Sequence, residues 1–198
     1  MKLYGSYTSP YVRHCRIALL EAGLIFEFIE TDQTASASKS PTKRVPFLED
    51  GDIFLTDSSA IIRYIREKVG TKFLPSVAEL NQYCLVNSAL DSCTNLFFLQ
   101  RDGVNIEAFE YTKRQKARIE SSLVELNSFN LPMQAPITMY IYAWLVFLPG
   151  RCFAIAFTSM HIKIYRIFWI SSTTINLSSK QFRQRNNYPY IIFGLRNC

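Results

Sequence analysis

The sequence predicts an α/β domain of the order βαβ-ββα, followed by an all-α helical domain. Strand-like and helix-like patterns alternate over the first 70 residues, and two long helical patterns follow with no strand between them. A break in composition limits this prediction to part of the chain. Residues 1–132 carry 15 Lys and Arg against 16 Asp and Glu, whereas residues 133–198 carry 7 Lys and Arg and no acidic residue.

The overall composition is that of a chain that folds around a core. Of its 198 residues 48% are hydrophobic and 19% are charged, which excludes a disordered or collagen-like polymer. The net charge of +6 ordinarily suggests nucleic acid or an anionic membrane as a partner. Because the excess of positive charge lies entirely in residues 133–198, the remainder is nearly neutral, and no nucleic-acid partner is predicted.

Cysteine usage and the N-terminus indicate a reduced, cytoplasmic location. The five cysteines are odd in number and have neither a CxxC nor a metal-type spacing, so neither a disulfide framework nor a metal site is predicted. The N-terminal segment MKLYGSYTSPYV lacks the continuous apolar stretch of a signal peptide, so no export is expected. The cysteines are Cys15, Cys84, Cys93, Cys152 and Cys198.

The first 30 residues predict a strand, a helix and a second strand. Residues 2–7 form a short apolar and aromatic run that ends at Thr8, Ser9 and Pro10. The segment VRHCRIALLEAG then spaces its apolar residues for a helix that ends at Gly23. Residues 24–29 (LIFEFI) predict the second strand, and this order predicts parallel strands with a right-handed crossover.

A hairpin and a helix are predicted next, after a polar loop at residues 31–44. The segments VPFLED and IFLT, joined by a Gly51-Asp52 turn, predict two short antiparallel strands. The cluster DSS at residues 57–59 predicts an N-cap, and the helix is expected to run to about Lys68. Its buried stripe is expected to consist of Ile61, Ile62, Ile65 and Val69.

These elements complete a first domain, residues 1–72, with TKFLPS at residues 71–76 as the linker. Helical patterns at residues 78–101 and 106–128 predict an all-α second domain, residues 78–198, of which 133–198 are atypical. The side chains expected to point inward on the first of these helices are Leu80, Cys84, Leu85, Ser88, Cys93 and Leu96, and the second helix alternates KRQKARIE with Leu123, Val124 and Leu126.

Three segments in this order resemble the thioredoxin-like domain of a bacterial glutathione S-transferase. They are KLYGSYTSPYVRHCRIALLEAG, RVPFLED and TDSSAIIRYI, and the resemblance extends over about residues 1–130. It implies a thioredoxin-like domain that binds glutathione as a co-substrate, an all-α domain and a homodimer. It also implies transfer of the glutathione thiolate to a small hydrophobic electrophile.

Ser9 and Pro10 admit two interpretations that are compatible with each other. A serine followed by proline is a common N-cap and first helical residue. The resemblance implies that the Ser9 hydroxyl donates a hydrogen bond to the glutathione sulfur, and the positive end of the helix also favours a thiolate. Tyr7, at the end of the first strand, is the competing thiolate partner, although packing explains it as well.

The remaining glutathione contacts follow from the resemblance. Pro46 must lie at a strand start or an edge, because it lacks an N–H, and the resemblance implies a cis Val45-Pro46 bond with the Val45 backbone paired to glutathione. Asp57 and Ser58 cap a helix, and helix N-termini bind anions. The resemblance implies that Ser58 holds the γ-glutamyl carboxylate and Asp57 its ammonium group. Arg44 either contacts the glycyl carboxylate or is a solvated loop cation.

Two other features are expected to be structural. His14 and Cys15 lie inside the first helix without a CxxC, so a surface histidine and a partly buried cysteine are expected rather than a redox centre. The basic run at residues 113–118 has acidic neighbours, Glu110 and Glu120, and indicates a solvated helix face.

The sequence departs from the family pattern near residue 133. The family continues with a buried helix that opens with Ser or Thr, two residues and then Asp, whereas here Thr138 is followed by Ile141. Three accounts stay open: a C-terminus read in a shifted frame, a divergent helical half, or a membrane segment at residues 137–157. The last conflicts with Pro149-Gly150-Arg151 in the middle of that segment, so membrane anchoring is not expected.

Two further functional alternatives stay open beside the transferase. The first alternative is a non-catalytic interaction module of the same fold. The second is the inactive product of a disrupted gene. The second alternative predicts an insoluble protein or one without cooperative unfolding, because loss of helices exposes apolar surface.

Overall fold

The computed structural model describes residues 1–31 and 33–129, apart from the side chains of Gln33, Ala37 and Asn127. This part of the chain contains four strands and five helices. In order they are β1 Lys2–Gly5, α1 Pro10–Glu21, β2 Glu27–Glu30, α2 Gln33–Lys39, β3 Phe47–Asp50, β4 Ile53–Leu55, α3 Ser58–Lys68, α4 Val77–Arg101 and α5 Glu110–Ser128.

The strands form one sheet of the order β2-β1-β3-β4. Strand β1 is parallel to β2, whereas β3 is antiparallel to both β1 and β4. The βαβ unit and the hairpin predicted from the sequence are therefore confirmed. Together with α1, α3 and the helices that follow, this sheet confirms a thioredoxin-like α/β domain followed by helices.

The two faces of the sheet are covered differently. Because successive side chains of a strand point to opposite faces, Leu3 and Leu48 share one face while Tyr4 and Phe47 share the other. Leu3 and Leu48 belong to a buried cluster with residues of α1 and α3. Tyr4 and Phe47 stack with ring centroids 4.5 Å apart, and the Lys39 ammonium of α2 lies 4.7 Å from the Tyr4 ring. Lys39 of α2 thus lies on the face opposite α1 and α3.

Several element boundaries differ from the sequence prediction. Strand β1 ends at Gly5 rather than residue 7, because Ser6 begins a turn in which its carbonyl accepts from the Ser9 amide at 3.2 Å. Strand β2 begins at Glu27 rather than residue 24. The loop predicted at residues 31–44 contains α2, whose sequence QTASASK has no apolar periodicity to reveal a helix. Val69 is 37% exposed, so the buried stripe of α3 ends at Ile65.

The inward face of α4 also differs from the prediction. Cys84 and Ser88 are exposed and Leu80 is 48% exposed, whereas Cys93 and Leu96 are buried as expected. Buried side chains of α4 belong to one cluster with residues of α3 and α5, so they occupy more than one stripe and simple periodicity misplaces them. On α5, Val124 is 54% exposed. The buried residues of α4 are Tyr83, Val86, Ala89, Leu90, Ser92, Cys93 and Leu96.

Residues 71–76 connect α3 to α4, where the linker was predicted. Buried residues of α3, α4 and α5 belong to one hydrophobic cluster with the sheet. The division into residues 1–72 and 78–198 stays a prediction. Thr138, Ile141 and the atypical segment 133–198 lie outside the described residues.

Candidate functional site

The sheet brings the three predicted ligand segments to one edge. Strand β1 ends there, and Ser9 follows it. Because β3 is antiparallel to β1, with Phe47 opposite Tyr4, the beginning of β3 and the preceding Arg44, Val45 and Pro46 lie at the same edge. Strand β4 returns antiparallel to β3 and ends there too, and it delivers the chain to Asp57 and Ser58. All six predicted site residues therefore flank one edge of the sheet.

Ser9 is the N-cap of α1. Its backbone is extended (φ −72°, ψ 125°), its Oγ accepts a hydrogen bond from the Val12 amide at 3.4 Å, and Pro10 is the first helical residue. The N-cap interpretation is therefore confirmed. The unpaired amides of the first turn leave a partial positive charge beside this hydroxyl, which favours a bound anion.

Tyr7 packs against neighbouring side chains. Its ring makes an edge contact with Phe28 at 4.7 Å between centroids, and the Arg16 guanidinium lies 4.7 Å from its centroid. The side chain is 39% exposed. These contacts agree with the packing role that the sequence allows for Tyr7.

The Val45-Pro46 peptide bond is cis. Pro46 is buried immediately before β3, Val45 is half-buried and Arg44 is exposed. This position confirms the strand-start placement of the proline. Among the described residues, none forms a hydrogen bond with the Val45 backbone, so its N–H and C=O are available to an outside partner.

Asp57 is the N-cap of α3, as the sequence predicts. Its Oδ1 accepts hydrogen bonds from the Ser59 amide at 2.8 Å and the Ala60 amide at 3.3 Å. Ser58 is the first helical residue and is 5% exposed. The Ser58 carbonyl accepts a hydrogen bond from the Cys15 thiol at 3.8 Å, which joins α1 to α3 directly below the site.

The exposure expected for His14 and Cys15, a surface histidine and a partly buried cysteine, is wrong. Both side chains have no exposed surface, because this side of α1 packs into the core that α1 shares with α3. Burial raises the pKa of the Cys15 thiol, with a further contribution from the nearby Asp57 carboxylate. This thiol is therefore protonated and enclosed, as expected for a structural cysteine.

Two cations on α1 carry lowered pKa values. Burial, followed by repulsion from Arg16, lowers the pKa of Arg13 to about 10, and burial also lowers the pKa of Arg16. Arg16 lies over the rings of Tyr7 and Phe28, so its charge is placed against aromatic faces. Both guanidinium groups remain charged at neutral pH.

Two tyrosines that the sequence does not predict as site residues, Tyr11 and Tyr83, connect the site to α4 through hydrogen bonds. The Tyr11 hydroxyl donates a hydrogen bond to the Asp91 carboxylate, and the Tyr83 hydroxyl donates to Ser59 Oγ at 2.9 Å. Burial raises the pKa of both hydroxyls, and the bond to Asp91 raises that of Tyr11 further. No periodicity in the sequence indicates these long-range pairs.

The basic run on α5 has acidic and polar partners. Lys113 pairs with Glu110 at 2.8 Å, Lys116 pairs with Glu107, and Arg118 donates to Gln115 at 2.8 Å. A solvated helix face with local ion pairs accounts for this run. Within residues 1–31 and 33–129, no helix is long and apolar enough to cross a membrane.

Residues 3–73 match the family model described as the N-terminal domain of glutathione S-transferase. Glutathione S-transferase 3 of Zea mays is 41% identical over 88 residues, which are 39% of this chain and 40% of that protein. An uncharacterized glutathione-S-transferase-like protein of Escherichia coli is 45% identical over 71 residues, 33% of this chain and 35% of that protein. The matched regions thus span less than half the length of these relatives.

Solved structures show the same fold. A glutathione S-transferase of Methylobacterium radiotolerans in complex with glutathione sulfonate aligns with a TM-score of 0.68 at 20% identity, over 87% of this chain and 89% of that one. A delta-class glutathione transferase of Nilaparvata lugens aligns with the same TM-score at 17% identity, over 91% of each chain. At these identities the likeness concerns the fold alone.

Proposed function

We infer that this chain binds glutathione and transfers its thiolate to hydrophobic electrophiles, because residues 3–73 match the N-terminal domain of the glutathione S-transferase family. The observation that carries the proposal is the convergence of Ser9, Val45 and Asp57 at one edge of the sheet. The N-termini of α1 and α3 meet there with the Val45 backbone, which has no hydrogen-bond partner among the described residues. Such a set suits a peptide that carries two carboxylates and a thiol.

Each part of glutathione has a matching group in this proposal. The Val45 N–H and C=O pair with the backbone of the cysteinyl residue. Ser58, at the first turn of α3, holds the γ-glutamyl carboxylate, and the Asp57 carboxylate pairs with the ammonium group. Exposed Arg44 contacts the glycyl carboxylate.

Ser9 is the proposed catalytic residue. Its hydroxyl donates a hydrogen bond to the glutathione sulfur, and the partial positive charge of the α1 N-terminus also favours the thiolate. The thiol proton passes to solvent, the sulfur forms a bond to the electrophilic carbon, and a leaving group such as halide departs with the bonding electron pair. The proposal includes a cytoplasmic homodimer that detoxifies such electrophiles.

The test combines binding with turnover. The wild-type chain should be retained on immobilised glutathione, released by free glutathione, and should conjugate a chromogenic aryl halide such as 1-chloro-2,4-dinitrobenzene. A chain that is folded by circular dichroism and passes through the glutathione resin would contradict the proposal.

A non-catalytic interaction module of the same fold is the second candidate. It is favoured by the extent of the sequence match, since the similar regions cover only 39% and 33% of this chain. Retention on glutathione resin without turnover of aryl halides, epoxides or organic peroxides would support the module over the enzyme.

A further inference from the structure

Helix α4 forms a hydrogen bond with each of the two helices whose N-termini lie at the candidate site. Its Tyr83 hydroxyl donates to Ser59 Oγ of α3 at 2.9 Å. Its Asp91 carboxylate accepts a hydrogen bond from the Tyr11 hydroxyl of α1. Each bond reaches the first turn of its helix, within two residues of a predicted ligand residue.

The bond from Tyr83 fixes the first turn of α3 from its buried side. Tyr83 is 3% exposed, and its ring makes an edge contact with Phe73 at 5.4 Å between centroids. Ser59 receives this bond at its hydroxyl while its amide donates to Asp57 Oδ1 at 2.8 Å. Ser59 therefore links the Tyr83 hydroxyl to the Asp57 carboxylate.

The bond to Asp91 fixes the first turn of α1. Tyr11 lies two residues after Ser9 and one before Val12, whose amide donates to the Ser9 hydroxyl. The orientation of Ser9 therefore depends on the same turn that Tyr11 connects to α4. Asp91 is exposed and Tyr11 is half-buried, but a hydrogen bond to a charged acceptor is stronger than one to a neutral acceptor.

We propose that α4 positions the glutathione site through two positioning residues, Tyr83 acting through Ser59 on Asp57 and Ser58, and Asp91 acting through Tyr11 on Ser9. This proposal rests on the proposed function. It assigns separate tasks to the two bonds, because Asp57 and Ser58 hold the γ-glutamyl group while Ser9 contacts the sulfur. Loss of the first bond should weaken glutathione binding, and loss of the second should change the acidity of the bound thiol.

The experiment measures steady-state conjugation of the aryl halide by the full chain with conservative variants. Tyr83→Phe should raise KM for glutathione about threefold to tenfold, the range that one neutral hydrogen bond supports, with little change in kcat. Tyr11→Phe should lower kcat and move the midpoint of the kcat–pH profile upward, with KM nearly unchanged. A kcat profile reports groups in the enzyme–substrate complex, which here include the bound thiol.

Two further variants separate positioning from general damage. Ser59→Ala removes the acceptor of the Tyr83 bond, so it should raise KM as Tyr83→Phe does, and the double variant should add little. Tyr64→Phe is the matched control. Its hydroxyl donates to Asp50 at 2.7 Å, away from the N-terminal turn of α3, so KM and the pH profile should stay those of the wild type.

Amide hydrogen exchange gives a readout that does not depend on turnover. The Ser59 and Ala60 amides should exchange faster in Tyr83→Phe than in the wild type or Tyr64→Phe, because their cap is no longer held from the buried side. If the wild type binds glutathione, but Tyr83→Phe and Tyr64→Phe have equal KM values for glutathione and equal rates of amide exchange, this inference alone is overturned. A wild type that binds no glutathione would overturn the proposed function as well.

Discussion

The amide of Val12 donates a hydrogen bond to the Oγ of Ser9 at 3.4 Å, which is longer than the usual N–H···O distance. A serine hydroxyl has two acceptor lone pairs and one donor proton. When Ser9 accepts from the helix, its proton therefore stays available to donate to a ligand. Capping of α1 and stabilisation of a thiolate are compatible tasks for this side chain.

Replacement of Ser9 by Ala tests the catalytic proposal. Ser9→Ala removes the proposed donor to the sulfur, so kcat should fall about 100-fold, the lower range for the loss of one such donor. Glutathione affinity should stay nearly intact, because the backbone and α3 contacts remain. Stability should fall by about 1 kcal/mol from the lost cap. Turnover and glutathione titrations measure these effects, and an unchanged kcat would exclude the role of Ser9.

Ser76→Ala is the matched control for the lost cap. Ser76 is the N-cap of α4, and its Oγ accepts from the Glu79 amide at 3.2 Å in a reciprocal capping box. Its loss should cost a similar free energy of unfolding without a change in kcat. Equal losses of kcat in both variants would show that stability, and not the hydroxyl at the site, determines turnover.

Two replacements of Asp57 separate its cap from its charge. Asp57→Asn keeps a side-chain oxygen for the Ser59 and Ala60 amides but removes the charge, so stability should change little while glutathione affinity falls about tenfold. Asp57→Ala removes both and should also destabilise the chain by about 1 kcal/mol. Urea unfolding and glutathione titrations give the two quantities. An Asn variant with wild-type affinity would leave the carboxylate only a capping role.

The sequence predicts the sheet because its signals are local. The strand β1, the Gly51 turn and the Asp57 cap each carry their pattern within a few residues, and the structure confirms all three. Helix α2 is missed because its small polar residues produce no apolar period. Its Lys39 lies over the Tyr4 ring, a tertiary contact that no local pattern reveals.

The candidate site is predictable only in its local parts. Ser9, Pro46 and Asp57 are recognisable because a cap or a strand start has a sequence signature. The partners Tyr11–Asp91 and Tyr83–Ser59 lie 80 and 24 residues apart, so no pattern of neighbours reveals them. His14 is misjudged for the same reason, since its burial depends on how α1 packs and not on the residues beside it.

Asp50 makes part of the stability dependent on pH. Hydrogen bonds from Lys68 and then Tyr64 lower the pKa of its carboxyl below the ordinary value. A lowered pKa means that this stabilisation is present above the ordinary value, about 4, and is lost as the pH falls through the folded-state pKa. Asp50→Asn should therefore lower the Tm modestly at pH 7, and this difference from the wild type should shrink as the pH falls below the ordinary value of about 4. The control is Asp52→Asn in the adjacent turn, because Asp52 forms no ion pair with any described residue. A Tm difference that does not shrink with falling pH would contradict the charge-based explanation.

Gly5 allows α1 to approach the end of β1. A Cβ at this position would lie 2.4 Å from Cγ2 and 2.8 Å from Cγ1 of Val12, which is fully buried. Gly5→Ala should therefore destabilise the chain by about 1–3 kcal/mol, the usual cost of overpacking. Because Val12→Ala removes both clashing carbons, the double variant should be more stable than the sum of the single effects predicts. Urea unfolding of the four proteins measures this coupling, and additive free energies would show that the Gly5–Val12 contact does not limit the approach of α1.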